Sequence, residues 1–151
     1  MKKYKILIVC MILFAVTVLL LSVSACTDDR ITIEDYSWRF DTAVSGGKVT
    51  FVSEDNATAY PEATVVDGVL RAKDGELRAE FNGKVYSGTY SVFDRAPEAV
   101  NYNVKLFAAE QSEYAVVAFT EYSDGTAAPT LVLSLPGEDG YAVYFTGFKE
   151  Q

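Results

Sequence analysis

Two hydrophobic patterns divide the chain. From Ile6 to Leu21 the sequence is almost unbroken apolar. Beyond residue 30, apolar positions come in short runs, and several alternate with polar ones at the period of a half-buried strand. Leu77, Ala79 and Phe81 share a face, with Glu76, Arg78 and Glu80 opposite; Tyr36, Trp38 and Phe40 face away from Arg39 and Asp41. The runs are rich in Val, Thr, Tyr and Phe, which suit a pleated surface. Between them stand Gly46-Gly47, Asp67-Gly68, Asp74-Gly75, Asn82-Gly83, Asp124-Gly125 and Asp139-Gly140. Such pairs tolerate the positive φ angles of tight hairpins. The pattern predicts strands over 31–43, 48–54, 64–72, 76–81, 84–92, 101–108, 113–122, 129–135 and 141–148. No segment beyond the first apolar run has a helical period.

Hairpin loops of two to five residues cannot cross over a sheet, so the strands are expected to pair sequentially and antiparallel. A meander of eight or nine strands must also manage its edges. Closure into a barrel removes them and a sandwich only reduces them. The expected fold is therefore all-β, with a barrel favoured over a sandwich.

The last strands carry a different pattern. Tyr114 to Phe119, Leu131 to Leu133 and Tyr141 to Phe145 are apolar on both faces. Both faces then need cover, from the chain or from a partner. The irregular stretches Asn56–Thr64 and Asp94–Val100 are the spare chain that could supply it. Without that cover, Val117, Phe119, Val132 and Tyr144 form an outer apolar patch.

The first apolar run has the layout of an export signal: basic Lys2, Lys3 and Lys5, the run itself, then small residues. Val23-Ser24-Ala25-Cys26 follows directly and looks like a lipobox, with cleavage expected between Ala25 and Cys26 and lipid on the Cys26 thiol. An ordinary secretory signal and an uncleaved membrane span are the competing readings; a span needs about 20 apolar residues. The expected organisation is a leader over 1–25, a lipidated start and short tether over 26–30, and one domain over 31–151. The expected location is the outer face of a bacterial cell membrane. Two or more acyl chains give a stable anchor. From Cys26 to Ile31 the chain reaches no more than about 18 Å, so the domain is expected close to the bilayer.

Removing the leader changes the charge. Three of the 13 basic residues lie in it and none of the 21 acidic ones, which leaves 10 against 21 and a side-chain charge of −11. Nucleic acid needs a basic footprint and is not expected as a partner on that count, and broad contact with anionic headgroups is disfavoured. Of the two cysteines, Cys10 falls in the leader, so no intrachain disulfide is available beyond it. The chain has no histidine, the commonest general base and metal ligand.

The order of features resembles lipocalin-like bacterial lipoproteins: a lipobox, an aromatic first strand with one Trp, then successive hairpins. Val85-Tyr86-Ser87-Gly88-Thr89-Tyr90 looks like the Gly-Thr-Tyr strand of such domains. Thr120-Glu121-Tyr122-Ser123-Asp124-Gly125 through Pro129-Thr130-Leu131 is similar to a segment that recurs in lipoproteins of Gram-positive bacteria. Two features depart from lipocalins proper. Tyr36-Ser37-Trp38 stands where they have Gly-x-Trp, and no arginine follows Arg95. The resemblance implies a barrel and carries over no ligand.

Little in the chain points to catalysis. Ser45-Gly46-Gly47-Lys48 has a Ser-x-x-Lys spacing, but that pair works from one helix turn and two glycines between strands make a hairpin. Glu54, Asp55, Glu138 and Asp139 are raw material for a carboxylate pair, with a solvated turn as the plainer reading. Asn56-Ala57-Thr58 fits a glycosylation pattern and is read as a turn. No calcium loop is present, and no cofactor or metal is implied.

The aromatic residues remain. Trp38 with Tyr36, Tyr86, Tyr90, Tyr102, Tyr114 and Tyr141 could line a pocket for a small apolar or amphipathic ligand. The competing reading is a packed core with hydroxyls at the rim. The sequence thus leads to a tethered, non-enzymatic binding module; the alternative is an interaction protein that docks an envelope partner or a second copy. A cavity of about 300 Å³ or more would favour the first. A filled interior with Phe119, Val132 and Tyr144 exposed would favour the second.

Overall fold

A computed structural model describes residues 30–107, 111–137 and 140–150. The leader, Ala25, Cys26 and the tether to residue 29 lie outside the described residues, as do Glu138 and Asp139.

The strands are β1 (Ser37–Ser45), β2 (Lys48–Val52), β3 (Thr64–Val65), β4 (Gly68–Lys73), β5 (Glu76–Phe81), β6 (Lys84–Arg95), β7 (Ala99–Lys105), β8 (Glu113–Glu121), β9 (Ala127–Leu135) and β10 (Tyr141–Phe148). One 3-10 turn, Glu54–Asn56, interrupts the connection after β2. From β4 to β10 each strand pairs antiparallel with the next. β1 closes the cylinder. It pairs with β10 from Ser37 to Val44 and with β4 through Trp38–Leu70 and Arg39–Val69. The result is an all-β, closed eight-stranded antiparallel barrel with two further strands, consistent with a lipocalin-like barrel.

The extra strands form a flange. β2 folds back on the second half of β1, and β3 adds to β2 in parallel through Phe51–Thr64 and Val52–Val65. The expectation of one strand over 64–72 is corrected here: the chain breaks at Val66 and Asp67 to pass from flange to barrel. Asp67-Gly68 is correspondingly no hairpin. Gly68 serves close packing, since a Cβ there would lie 2.4 Å from the Phe81 ring. The stretch 94–100, expected to be irregular, lies mostly in β6 and β7.

Local chemistry explains most hairpins. Asp74-Gly75 and Asn82-Gly83 both hold positive φ at each residue, as a two-residue turn of strand twist requires. Gly46-Gly47 does the same and sets Ser45 opposite Lys48 across a hairpin. The Ser-x-x-Lys pair is thus a turn between strands.

Two bulges aim side chains. A register shift between Phe40 and Thr42 makes Asp41 the extra residue, so Trp38, Phe40 and Ala43 all join the buried core. A second shift between Val92 and Asp94 makes Phe93 the extra residue of β6, and it stands 66% exposed.

The core fills the barrel. Trp38, Leu70, Ala79, Tyr102, Val104, Val117, Leu131, Leu133 and Phe145 are all buried within it. At the end where β1 finishes, Phe40 meets Phe81 and Phe145 with ring centroids 6.1 Å away, and Phe81 meets Phe107 at 6.0 Å. These spacings are those of contacting aromatic rings.

Candidate functional site

The seven aromatic residues expected around a pocket do not share one environment. Trp38 and Tyr102 are fully buried, Tyr36, Tyr86 and Tyr90 are half-buried, and Tyr114 and Tyr141 are exposed. The first five turn toward the interior or its rim. The polar atoms of Trp38, Tyr90 and Tyr102 are already engaged by the segment 30–36, whose part from residue 31 was expected to be strand and which instead closes the end where β1 begins.

Ile33 is the centre of that closure. Its side chain is buried in the core. The Trp38 Nε1–H donates to the Ile33 carbonyl at 2.7 Å, and the Ile33 amide donates to the Tyr102 hydroxyl at 3.1 Å. Tyr90 donates its hydroxyl proton to the Glu34 carboxylate, and Lys149 donates to the Asp35 carbonyl. Arg30 donates to the Ala96 carbonyl at 3.0 Å. The segment does not continue the sheet because Thr32 and Asp35 bond to each other and fold it into a turn. Burial pushes the Tyr102 hydroxyl above the usual tyrosine range, partly offset by the Ile33 amide that hydrogen-bonds to it.

The larger recesses bounded by described residues do not enter this core. One of about 560 Å³ is open and lined by Thr89, Tyr90, Ser91, Asn103, Lys105 and Gln111 among others. A second, of about 580 Å³, is open and lined by the charged side chains Arg71, Lys73, Asp74, Glu76 and Arg78. Of the seven aromatic residues expected around a pocket, Tyr90 lines the first and none lines the second.

The outer patch is present in altered form. Val117 is corrected: it pairs with Leu131 and is fully buried inside the barrel. Phe119 sits at an inward position of β8, but beyond the core, where it is exposed at the rim opposite Pro129. Val132 and Tyr144 do point outward, and they pair directly. Val116 pairs with Val132 on the other side, so Val116, Val132 and Tyr144 form one row across β8, β9 and β10. Tyr114, expected in the pocket, stands beside that row, with the Phe93 ring 6.4 Å away. Tyr114, Val116 and Tyr144 are 47%, 37% and 36% exposed.

The surroundings of the row are equally distinctive. Outward positions alternate along β8 from Tyr114 to Thr120, along β9 from Ala128 to Ser134 and along β10 from Ala142 to Phe148. None is charged. The opposite wall is dense with charge: Arg71 and Arg78 face each other across β4 and β5, and Lys73 faces Glu76. Arg71 also meets Glu150 at 2.6 Å, and this bond with that from Ser37 holds the Glu150 carboxyl below its usual range.

One acidic residue escaped the sequence reading. Glu113 is buried, and its carboxylate accepts the Leu106 and Phe107 amides at 2.6 and 2.8 Å. Its signal was an acid on the same face as Ala115 and Val117. Among the described residues, no cluster of three or more Cys, Asp or Glu side chains is placed to hold a metal ion. Comparison with protein families, characterised proteins and solved structures finds no match to the chain.

Proposed function

We propose that the protein is a lipoprotein held by Cys26 at the outer face of a bacterial cell membrane, and that its barrel is a non-enzymatic interaction domain. The observation that carries the second half is the uncharged wall of β8–β10. A molecule whose mature part has a side-chain charge of −11 places no charge at the outward positions of three adjacent strands. It also exposes Tyr144 at one end of the apolar row and Tyr114 beside the other end. Exposed aromatic residues on a charge-depleted surface are the composition of interface centres. The binding of a small apolar ligand takes second place, because Trp38 and Tyr102 spend their polar atoms on Ile33 and their rings pack against Tyr36 and Tyr90 respectively.

The anchor is supported by the lipobox-like Val23-Ser24-Ala25-Cys26 after an apolar run and basic start. Both halves are open to direct test in bacterial cells. A clickable fatty acid should label the native chain and not Cys26→Ser; label that persists in the serine variant sinks the anchor. A maleimide reagent should label Val116→Cys in native membranes several-fold more slowly than Val85→Cys, an exposed position on β6. Equal rates would remove the interaction reading.

A further inference from the structure

We propose that the occupant of the uncharged wall is a second copy of this chain, packed face to face about a two-fold axis along β9. The inference rests on the interaction reading above and names its partner.

Shape is the first argument. The register places three residues in each cross-strand row. One row is Tyr114, Ser134 and Ala142; the next is Val116, Val132 and Tyr144. A two-fold axis along β9 sets β8 of one copy over β10 of the other. Tyr114 then meets the small Ala142, Tyr144 meets Val116, and Val132 meets its own counterpart. Large side chains face small ones in both directions, which is the self-complementarity an isologous pair requires.

Direction is the second argument. An axis parallel to the strands keeps the same end of both barrels on the same side. Arg30, the first described residue, is fastened at the end where β1 begins. Both chains therefore lead back toward one membrane, through a tether that four residues limit to about 14 Å. A partner of unrelated build has no such constraint to match.

Charge and area complete the case. Two copies at −11 repel, and only an uncharged face lets them touch without opposing like charges. The three-strand wall measures about 14 Å by about 25 Å at ordinary strand spacing, so a pair covers about 700–800 Å² of surface. A stand-alone specific interface needs about 1,200 Å². Confinement to one membrane supplies the effective concentration that offsets the shortfall.

The test uses the full-length chain in native membranes with Val132→Cys and a short bis-maleimide. Cys26 carries the lipid, so the introduced thiol reacts alone. The expected product is a cross-linked band at twice the chain mass, reduced at least tenfold by adding Tyr144→Lys and absent for Val85→Cys. A band of any other mass overturns the second copy while leaving the interaction reading intact. No band, together with unhindered maleimide labelling at Val116→Cys, overturns both. Val132 is only half-buried, and a cysteine is smaller and fits the same space, so folding is not at stake.

Discussion

Ile33, Trp38 and Tyr102 form one hydrogen-bonded unit inside the barrel, and its pH response has a definite sign. The Tyr102 hydroxyl is held above the usual range by burial, so the folded protein keeps it neutral where the unfolded chain ionises. Its contribution is complete below the unfolded tyrosine value of about 10 and is lost as pH rises through the folded value. Tyr102→Phe removes the acceptor of the buried Ile33 amide, which costs about 1–3 kcal/mol at neutral pH. It should also flatten the fall in stability above about pH 10. Urea unfolding of both proteins at pH 7 and 10.5 checks this; parallel falls would show that Tyr102 is not the group responsible. Trp38→Ala should cost about 3–5 kcal/mol, as loss of a buried large aromatic does. That Trp38 belongs to the core was legible from its alternation with Phe40. That its indole nitrogen holds the segment preceding β1 was not, because the bond to Ile33 depends on a turn made by Thr32 and Asp35.

Element by element, strands with one charged face were readable almost to the residue, and strands apolar on both faces were not. Glu76–Phe81 lies as expected because a slip of one residue would turn Glu76, Arg78 and Glu80 inward. In β8 a slip would bury no charge and would only carry Glu113 and Glu121 to the outward face. Sequence alone therefore could not tell Val117, which is inside, from Val116, which is outside. Glu113 settles the register physically: its carboxylate reaches the Leu106 and Phe107 amides only from the inward face. Glu113→Ala leaves two amides short of an acceptor and should destabilise the barrel by about 1–3 kcal/mol or more. Thermal unfolding by circular dichroism checks it; an unchanged midpoint would mean that solvent reaches these amides. The bulges were invisible for a related reason. An extra residue at Asp41 or Phe93 preserves composition while shifting the alternation by one.

Over the whole molecule, charge and its absence are segregated around the barrel, and this gives the proposed pair a salt dependence of definite direction. Contacts built on salt bridges weaken as ions screen them. Here the outward positions of the contact face carry no charge to screen, whereas the rest of each copy contributes to a repulsion between two bodies that carry −11 once the proposed leader is removed. At about 0.01 M salt that repulsion reaches about 30 Å, and at about 0.15 M only about 8 Å, shorter than the width of one barrel. Cross-linking through Val132→Cys in native membranes should therefore increase several-fold from low to physiological salt and then level off. An increase at Val132→Cys with none at Val85→Cys separates the wall from general crowding. A yield that falls with salt would place charged side chains in the contact, and the outward positions of β8–β10 offer none.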